Sequence, residues 1–187
     1  MYQICVSGAA AGHSAEEGQV LAREAGAAIA KAGHTLMTGA TLGLPHQAAI
    51  GYKKASGKMS MGISPAASKV EHAMKYRLPL KPYDSILFSG LHYVGRDALL
   101  ISSSDAVISI GGRIGTLHEF TIALETDTPI GMLQGAGGIS NEIEDILHAA
   151  GKRDSEYIII SNDPEELITK LTKLLDKMHK PYLDLYD

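Results

Sequence analysis

The amino-acid sequence predicts an α/β fold in which a doubly wound, parallel β-sheet is covered by helices on both faces. Short β-branched runs alternate with helical patterns along the chain, as expected when parallel strands are joined by helical crossovers. The length of 187 residues suits one substantial core, so we expect a single domain over residues 1–187. Three predicted strands end in glycine-rich loops, and ligands of such sheets bind beyond the carboxyl ends of the strands.

The alternating pattern predicts seven strands and six helices. Runs rich in β-branched residues predict strands at residues 2–7, 34–38, 58–64, 85–89, 106–110, 129–133 and 157–161. Apolar residues at helical spacing predict helices at residues 14–32, 45–57, 95–103, 114–126, 141–150 and from 164 onward.

Several of these helices carry clear boundary signals. Ser14 and Glu17 have the spacing of a capping box, and Gly33 is placed to end the first helix. Pro45 and Pro164 each stand in the first turn of a later helix, where proline is tolerated.

Residues 65–83 interrupt the regular order. This segment holds three prolines and a mixed set of charges, and it is long for a connection in a compact domain. We expect an irregular loop that either contributes to function or forms a surface excursion. Residues 64–68 either close over a ligand or form a plain surface loop.

Composition narrows the classes of function. With 17 basic and 21 acidic residues, and no basic run interleaved with aromatic residues, the chain is not expected to bind nucleic acid. Cys5 is the only cysteine and lies in an apolar run, which favours a buried thiol. No histidine and carboxylate pattern nominates a metal site, and no cofactor is expected. Without an apolar stretch near 18 residues or a signal-peptide pattern, we expect a cytoplasmic protein that is not membrane-bound.

The strongest chemical signal is the loop at residues 111–116. A strand ends at Gly111 and Gly112, and a helix opens near Gly115 and Thr116. Glycines let a phosphate approach the backbone, and the first N–H groups of a helix point at it with a dipole contribution of about 0.3–1 kcal/mol. A tight turn without a ligand is the alternative. The loop is neither a P-loop nor a G-x-G-x-x-G motif.

Two charged residues accompany this loop. Glu119, one turn into the helix, either faces the ligand or only stabilises the helix N-terminus. Arg96 is expected near the start of the preceding helix, where a cation is unfavourable unless it serves an anion. His118 faces a different side of the helix from Glu119, and packing or solvent is favoured there over metal ligation.

These motifs resemble the LOG (LONELY GUY) family within the SLOG superfamily, whose members were once labelled possible lysine decarboxylases. The family pattern is an arginine-bearing helix followed by P-G-G-x-G-T-x-x-E, which Arg96 and residues 111–119 match in order. Ser7, Gly8 and Gly39 lie in loops that match two earlier glycine loops of the family. The resemblance implies a Rossmann-like fold, a single nucleotide-binding domain, and a homodimer or higher homo-oligomer.

The resemblance also implies a small phosphorylated, nucleotide-like ligand. The family activity is phosphoribohydrolase chemistry, which cleaves the N-glycosidic bond of a nucleoside 5′-monophosphate. By resemblance, Arg96 and Glu119 would be catalytic, and the binding residues would be Ser7, Gly8, Gly39, Asp97, Gly111, Gly112, Gly115 and Thr116. A carboxylate can stabilise the positive charge that such cleavage builds on the sugar.

Two positions depart from the hydrolase pattern. Ile110 replaces the proline before the glycine pair, and Asp97 replaces the lysine after the arginine. The arginine–aspartate version is similar to a LOG-like branch that includes molybdenum-cofactor carrier proteins. Two hypotheses therefore stay open: a phosphoribohydrolase, and a non-catalytic nucleotide sensor or carrier-like binding protein.

Overall fold

The computed structural model describes residues 1–153 and 155–185 and contains a seven-stranded sheet. The strands are β1 (Gln3–Gly8), β2 (Thr35–Thr38), β3 (Ser60–Ser64), β4 (Ser85–Phe88), β5 (Ala106–Ile110), β6 (Ile130–Leu133) and β7 (Ile158–Ser161). Their order is β4-β3-β2-β1-β5-β6-β7, and all neighbours are parallel. The predicted Rossmann-like α/β fold is thus confirmed.

Helices connect these strands throughout the described chain. They are α1 (His13–Glu17), α2 (Gln19–Lys31), α3 (Leu44–Lys54), α4 (Lys69–Met74), α5 (His92–Ser102), α6 (Ile114–Glu125), α7 (Ile143–Ala149) and α8 (Pro164–His179), with 3₁₀ segments at Gly138–Asn141 and Lys180–Leu185. None of the helices in the described residues is both long enough and apolar enough to cross a membrane.

The sheet carries an apolar core on each of its faces. Ile4 and Val6 of β1 pack in one cluster with α2, α3 and α8, whereas Cys5 packs in a second cluster with α5, α6 and α7. Because successive strand side chains point to opposite faces, this division places helices on both sides of the sheet.

The strand order reverses between β1 and β5. Strands β2 to β4 follow β1 in one direction, while β6 and β7 follow β5 in the other. Gly8 at the end of β1 pairs with Ile110 at the end of β5. In open α/β sheets this reversal leaves a crevice at the carboxyl ends, where ligands bind.

The first predicted helix is divided in two. Gly12, not Ser14, is the N-cap of α1, so the capping-box prediction is wrong. The Ser14 hydroxyl instead accepts the N–H of Gly112 at 3.0 Å, which links α1 to the loop after β5. Gly18 separates α1 from α2, at a point where a Cβ would lie 2.8 Å from the Cβ of Ala136.

Residues 65–83 are more ordered than the sequence suggests. The Ser68 hydroxyl caps α4 by accepting a first-turn N–H at 3.1 Å. His72 is fully buried, with Nδ1 2.8 Å from the Ser64 hydroxyl and Nε2 donating to the Pro79 carbonyl at 3.1 Å. This segment is therefore anchored to the end of β3.

Candidate ligand-binding site

A cavity of about 270 Å³ opens at the carboxyl end of the sheet, where β1 and β5 meet. Its walls come from the loop after β1, from α5 and from the first turn of α6. The predicted site residues that line it are Gly8, Gly39, Arg96, Asp97, Gly115, Thr116 and Glu119. The structure thus brings together most of the residues that the sequence nominated from four separate segments.

A buried ionic network forms one wall of the cavity. Arg96 Nη1 lies 2.8 Å from Glu119 Oε1 and 3.2 Å from Asp97 Oδ1, and all three side chains are almost completely buried. Ser7, at the end of β1, donates its hydroxyl to the second carboxylate oxygen of Glu119. Ser7 therefore orients Glu119 rather than lining the cavity itself.

The network extends to a histidine that the sequence did not assign to the site. His118 Nδ1 lies 2.7 Å from Asp97 Oδ2, a contact that the expected packing or solvent role did not include. His118 belongs to α6 and Asp97 to α5. Their contact depends on how these two helices pack together, which the spacing of residues along the chain does not reveal. Both oxygens of the buried Asp97 carboxylate are engaged, one by Arg96 and one by His118.

Burial raises the pKa of Glu119. The positive charge of Arg96 opposes that shift, the negative charge of Asp97 adds to it, and hydrogen bonds from Ser7 and Arg96 favour the ionised form. A carboxyl group whose pKa is raised towards neutrality is suited to proton transfer, so Glu119 has the environment of a candidate acid or base.

Gly39 lets the Arg96 guanidinium lie against the end of β2. A Cβ at position 39 would fall 2.3 Å from Nη1 and 2.4 Å from Nη2 of that arginine. The guanidinium cannot move freely because Glu119 and Asp97 hold it. Position 39 therefore requires glycine, because the Arg96 side chain packs directly against the backbone there.

Substitution of Gly39 by alanine is expected to lower the free energy of unfolding by about 1–3 kcal/mol, the usual cost of overpacking a filled site. Gly115→Ala is the matched control, because a Cβ there meets nothing within 4 Å. Urea denaturation of both variants tests the difference. Equal transition midpoints would show that Gly39 is not needed for packing.

The glycine pair after β5 shapes the loop instead of lining the cavity. Gly111 and Gly112 have φ angles of +55° and +92°, which favour glycine. The N–H of Gly112 is already bound by Ser14, and a Cβ at Gly112 would fall 2.1 Å from Thr116 Oγ1. Gly115 and Thr116, by contrast, lie at the cavity wall.

Arg113, which the sequence interpretation passed over, supplies an unpaired cation. Its side chain lines the cavity and makes no ion pair or hydrogen bond with any residue in the described part of the chain. Helix α6 begins at the next residue without a side-chain cap, so its first-turn N–H groups lack a capping side chain. The position of Arg113 within the glycine loop is the signal that could have identified it.

Metal-binding and thiol chemistry are not indicated within residues 1–153 and 155–185. No cluster of three or more histidine, cysteine or carboxylate side chains there could hold a metal ion. Cys5 is completely buried, and this burial raises the pKa of its thiol. The expected role of Cys5 as a packed core residue agrees with this environment.

Three solved structures resemble this chain over more than nine tenths of its length. TM1055 has a TM-score of 0.79 at 23% identity, covering 92% of this chain and 99% of that one, and this likeness shows the fold. The molybdenum cofactor binding protein of the phototrophic bacterium Rippkaea orientalis has a TM-score of 0.73 at 26% identity, covering 93% and 97%. The molybdenum cofactor carrier protein of Chlamydomonas reinhardtii has a TM-score of 0.73 at 27% identity, covering 93% and 98%.

Comparison at the level of sequence identifies a relative and the family. An uncharacterized protein of Archaeoglobus fulgidus is 30% identical over 134 residues, which are 72% of this chain and 81% of that protein. The profile of the SLOG cluster4 family matches residues 1–168. The resemblance to the SLOG superfamily, on the side of the carrier proteins, is confirmed. The chain belongs to the SLOG cluster4 family.

Proposed function

We propose that this protein binds a small phosphorylated, nucleotide-like ligand and holds it without cleaving it. The observation that carries the proposal is the unpaired Arg113 side chain, which lines the cavity beside the uncapped N-terminus of α6. Backbone N–H groups at a helix N-terminus and a guanidinium group are the usual partners of a phosphate.

The size of the cavity supports a ligand of mononucleotide size. Its volume of about 270 Å³ lies just below the roughly 300–1,000 Å³ typical of drug-sized ligand sites. A dinucleotide would need a longer crevice. Carboxylates near the phosphate end can accept hydrogen bonds from sugar hydroxyls, and Asp97 and Glu119 line the same cavity.

The contacts that already hold the Glu119 and Asp97 carboxylates favour ligand binding over hydrolysis. The two oxygens of Glu119 are held by Arg96 and Ser7, and those of Asp97 by Arg96 and His118. These partners fix both carboxylates, and at Glu119 they oppose the rise in pKa that a general base would need, while each oxygen keeps a further lone pair for a sugar hydroxyl. Two similar solved structures are named for binding or carrying the molybdenum cofactor, which also favours a carrier-type function.

Titration calorimetry with AMP, ribose 5-phosphate and adenosine tests the proposal. We expect AMP and ribose 5-phosphate to bind and adenosine to bind more weakly, because only the first two carry a phosphate. Incubation with AMP is expected to release no free adenine by chromatography. Adenosine affinity equal to that of AMP would contradict a phosphate site, and released adenine would contradict a pure binding role.

Arg113→Gln is expected to weaken AMP and ribose 5-phosphate alike, by about tenfold at low salt, since charge-assisted hydrogen bonds contribute about 1.5–3 kcal/mol and exposure reduces this. Arg153→Gln, at another exposed arginine that does not line the cavity, is the control. The effect of Arg113→Gln should shrink as salt is added. Equal affinities for the two variants would remove Arg113 from the site.

Cleavage of the N-glycosidic bond is the second candidate function. The specific observation in its favour is Glu119, a buried carboxyl group at the cavity wall whose pKa is raised by burial. Such a group can stabilise a cationic sugar or transfer a proton once a ligand displaces its present partners. The free-base assay separates the two candidates directly.

Homo-oligomer formation stays a prediction of the family resemblance. Exposed large apolar side chains in the region of α4, β4 and α5 support it, and these are Val70, Met74, Leu87, Leu91 and Val94. Light scattering during size-exclusion chromatography tests the prediction.

A further inference from the structure

Tyr93 lies in the cavity wall and is not accounted for by phosphate binding. It is 46% exposed, whereas Arg96, one turn further along α5, is 5% exposed. Positions 93, 96 and 97 share one face of the helix because residues three and four apart are neighbours. Helix α5 therefore contributes to the cavity wall both a half-exposed aromatic residue and the buried ionic network.

The Tyr93 ring is held in place by Tyr76. The two ring centroids are 5.6 Å apart with an interplanar angle of 77°, and the Tyr76 hydroxyl lies 2.7 Å from Nδ1 of His92. In an edge-to-face pair, one ring meets the other through an edge, so Tyr76 leaves at least one face of Tyr93 uncovered. Tyr76 belongs to the 65–83 segment, which thereby gains a role in orienting the cavity wall.

We propose that Tyr93 is a specificity-determining residue and that its uncovered face stacks on a planar heterocyclic base of the ligand. This inference rests on the proposed function, because the phosphate end at Arg113 must place the other end of the ligand against α5. Both residues line the same cavity. Any base can stack on an aromatic ring. Tyr93 therefore favours nucleotides over sugar phosphates but does not distinguish one base from another.

The electrostatics around Tyr93 are compatible with this role. Burial raises the pKa of the phenol, and the charge of Arg96 opposes the shift. The phenol therefore stays neutral near pH 7 and adds no negative charge that would repel a phosphorylated ligand. An aromatic side chain with a fixed orientation also loses little conformational entropy when a base stacks on it.

Calorimetric titration of wild type, Tyr93→Ala and Tyr93→Phe with AMP and with ribose 5-phosphate tests the inference. Tyr93→Ala is expected to weaken AMP binding by about 5- to 150-fold, the usual cost of losing one aromatic–base stack. Its affinity for ribose 5-phosphate should be unchanged. Tyr93→Phe keeps the ring and is expected to bind both ligands like wild type.

The outcomes separate this inference from the proposed function. Equal weakening of both ligands by Tyr93→Ala, or unchanged AMP affinity, would overturn the stacking role while leaving the phosphate site standing. Failure of wild type to bind either ligand would overturn the proposed function and this inference with it. Arg113→Gln serves as the contrasting variant, since it should weaken both ligands. Native circular dichroism spectra must accompany each titration.

Discussion

Replacing Arg96 by methionine is expected to lower the free energy of unfolding by about 3–5 kcal/mol, because the variant leaves the buried carboxylates of Glu119 and Asp97 without the cation between them. Methionine keeps most of the side-chain length, so packing changes little. The loss should be smaller at acid pH, since burial already raises the pKa of Glu119 and protonation removes its unpaired charge. Urea denaturation at several pH values measures both effects.

A double variant provides the control for this expectation. Adding Glu119→Gln to Arg96→Met removes one of the two carboxylate charges that have lost the Arg96 cation, so the double variant should be more stable than Arg96→Met alone. The coupling between the two positions is then far from additive, as expected for groups in direct contact. Additive losses, or a loss from Arg96→Met that does not depend on pH, would contradict the ionic network as the source of the effect.

Under the second candidate function, cleavage of the N-glycosidic bond, Glu119→Gln is expected to lower the release of adenine from AMP by about 10²- to 10⁴-fold, the usual contribution of a general acid or base. The amide keeps the size of the side chain but loses the charge that stabilises a cationic sugar. AMP affinity should be largely retained, because Arg113 and the α6 N-terminus are untouched. Chromatographic detection of free base measures the rate.

Ser7→Ala is the comparison variant for that experiment, because it perturbs the same carboxylate more mildly. It removes the hydrogen bond to one carboxylate oxygen of Glu119 and leaves the charge and the Arg96 contact in place. Its effect on cleavage should therefore be much smaller than that of Glu119→Gln. Measurable but equal rates for wild type and Glu119→Gln would mean that the carboxylate takes no part in cleavage.

The fold could be predicted from the sequence because the strand and helix patterns are local. All seven strands fall at or within the predicted ranges to within one or two residues, as β5 at Ala106–Ile110 illustrates. The misses are short elements and one helix start: α5 begins at His92, three residues before the predicted start, so Arg96 lies beyond its first turn and not near its beginning. Helix α4 has six residues, too few to display a helical repeat, and the break at Gly18 depends on close contact with Ala136.

The candidate site could be predicted where its residues lie in glycine-rich strand ends or beside them. Gly8, Gly39 and Thr116 are of this kind, and all three line the cavity. The contact between His118 and Asp97 depends on how α5 packs against α6, and no pattern along the chain encodes it. Arg113 could have been nominated from its position in the glycine loop, but only the structure shows that it lines the cavity.

The position of β1 at the reversal of the strand order has a consequence for how the chain folds. Ser7 and Glu119 are in contact although 112 residues separate them, and such distant pairings are slow to form. During synthesis the β1–β4 half emerges before β5, so the cavity is complete only after the two halves join. A ligand at this seam stabilises only the joined state, by about 2.7 kcal/mol at a concentration 100 times its Kd. The cellular lifetime of the protein against proteases would then rise and fall with the supply of its ligand.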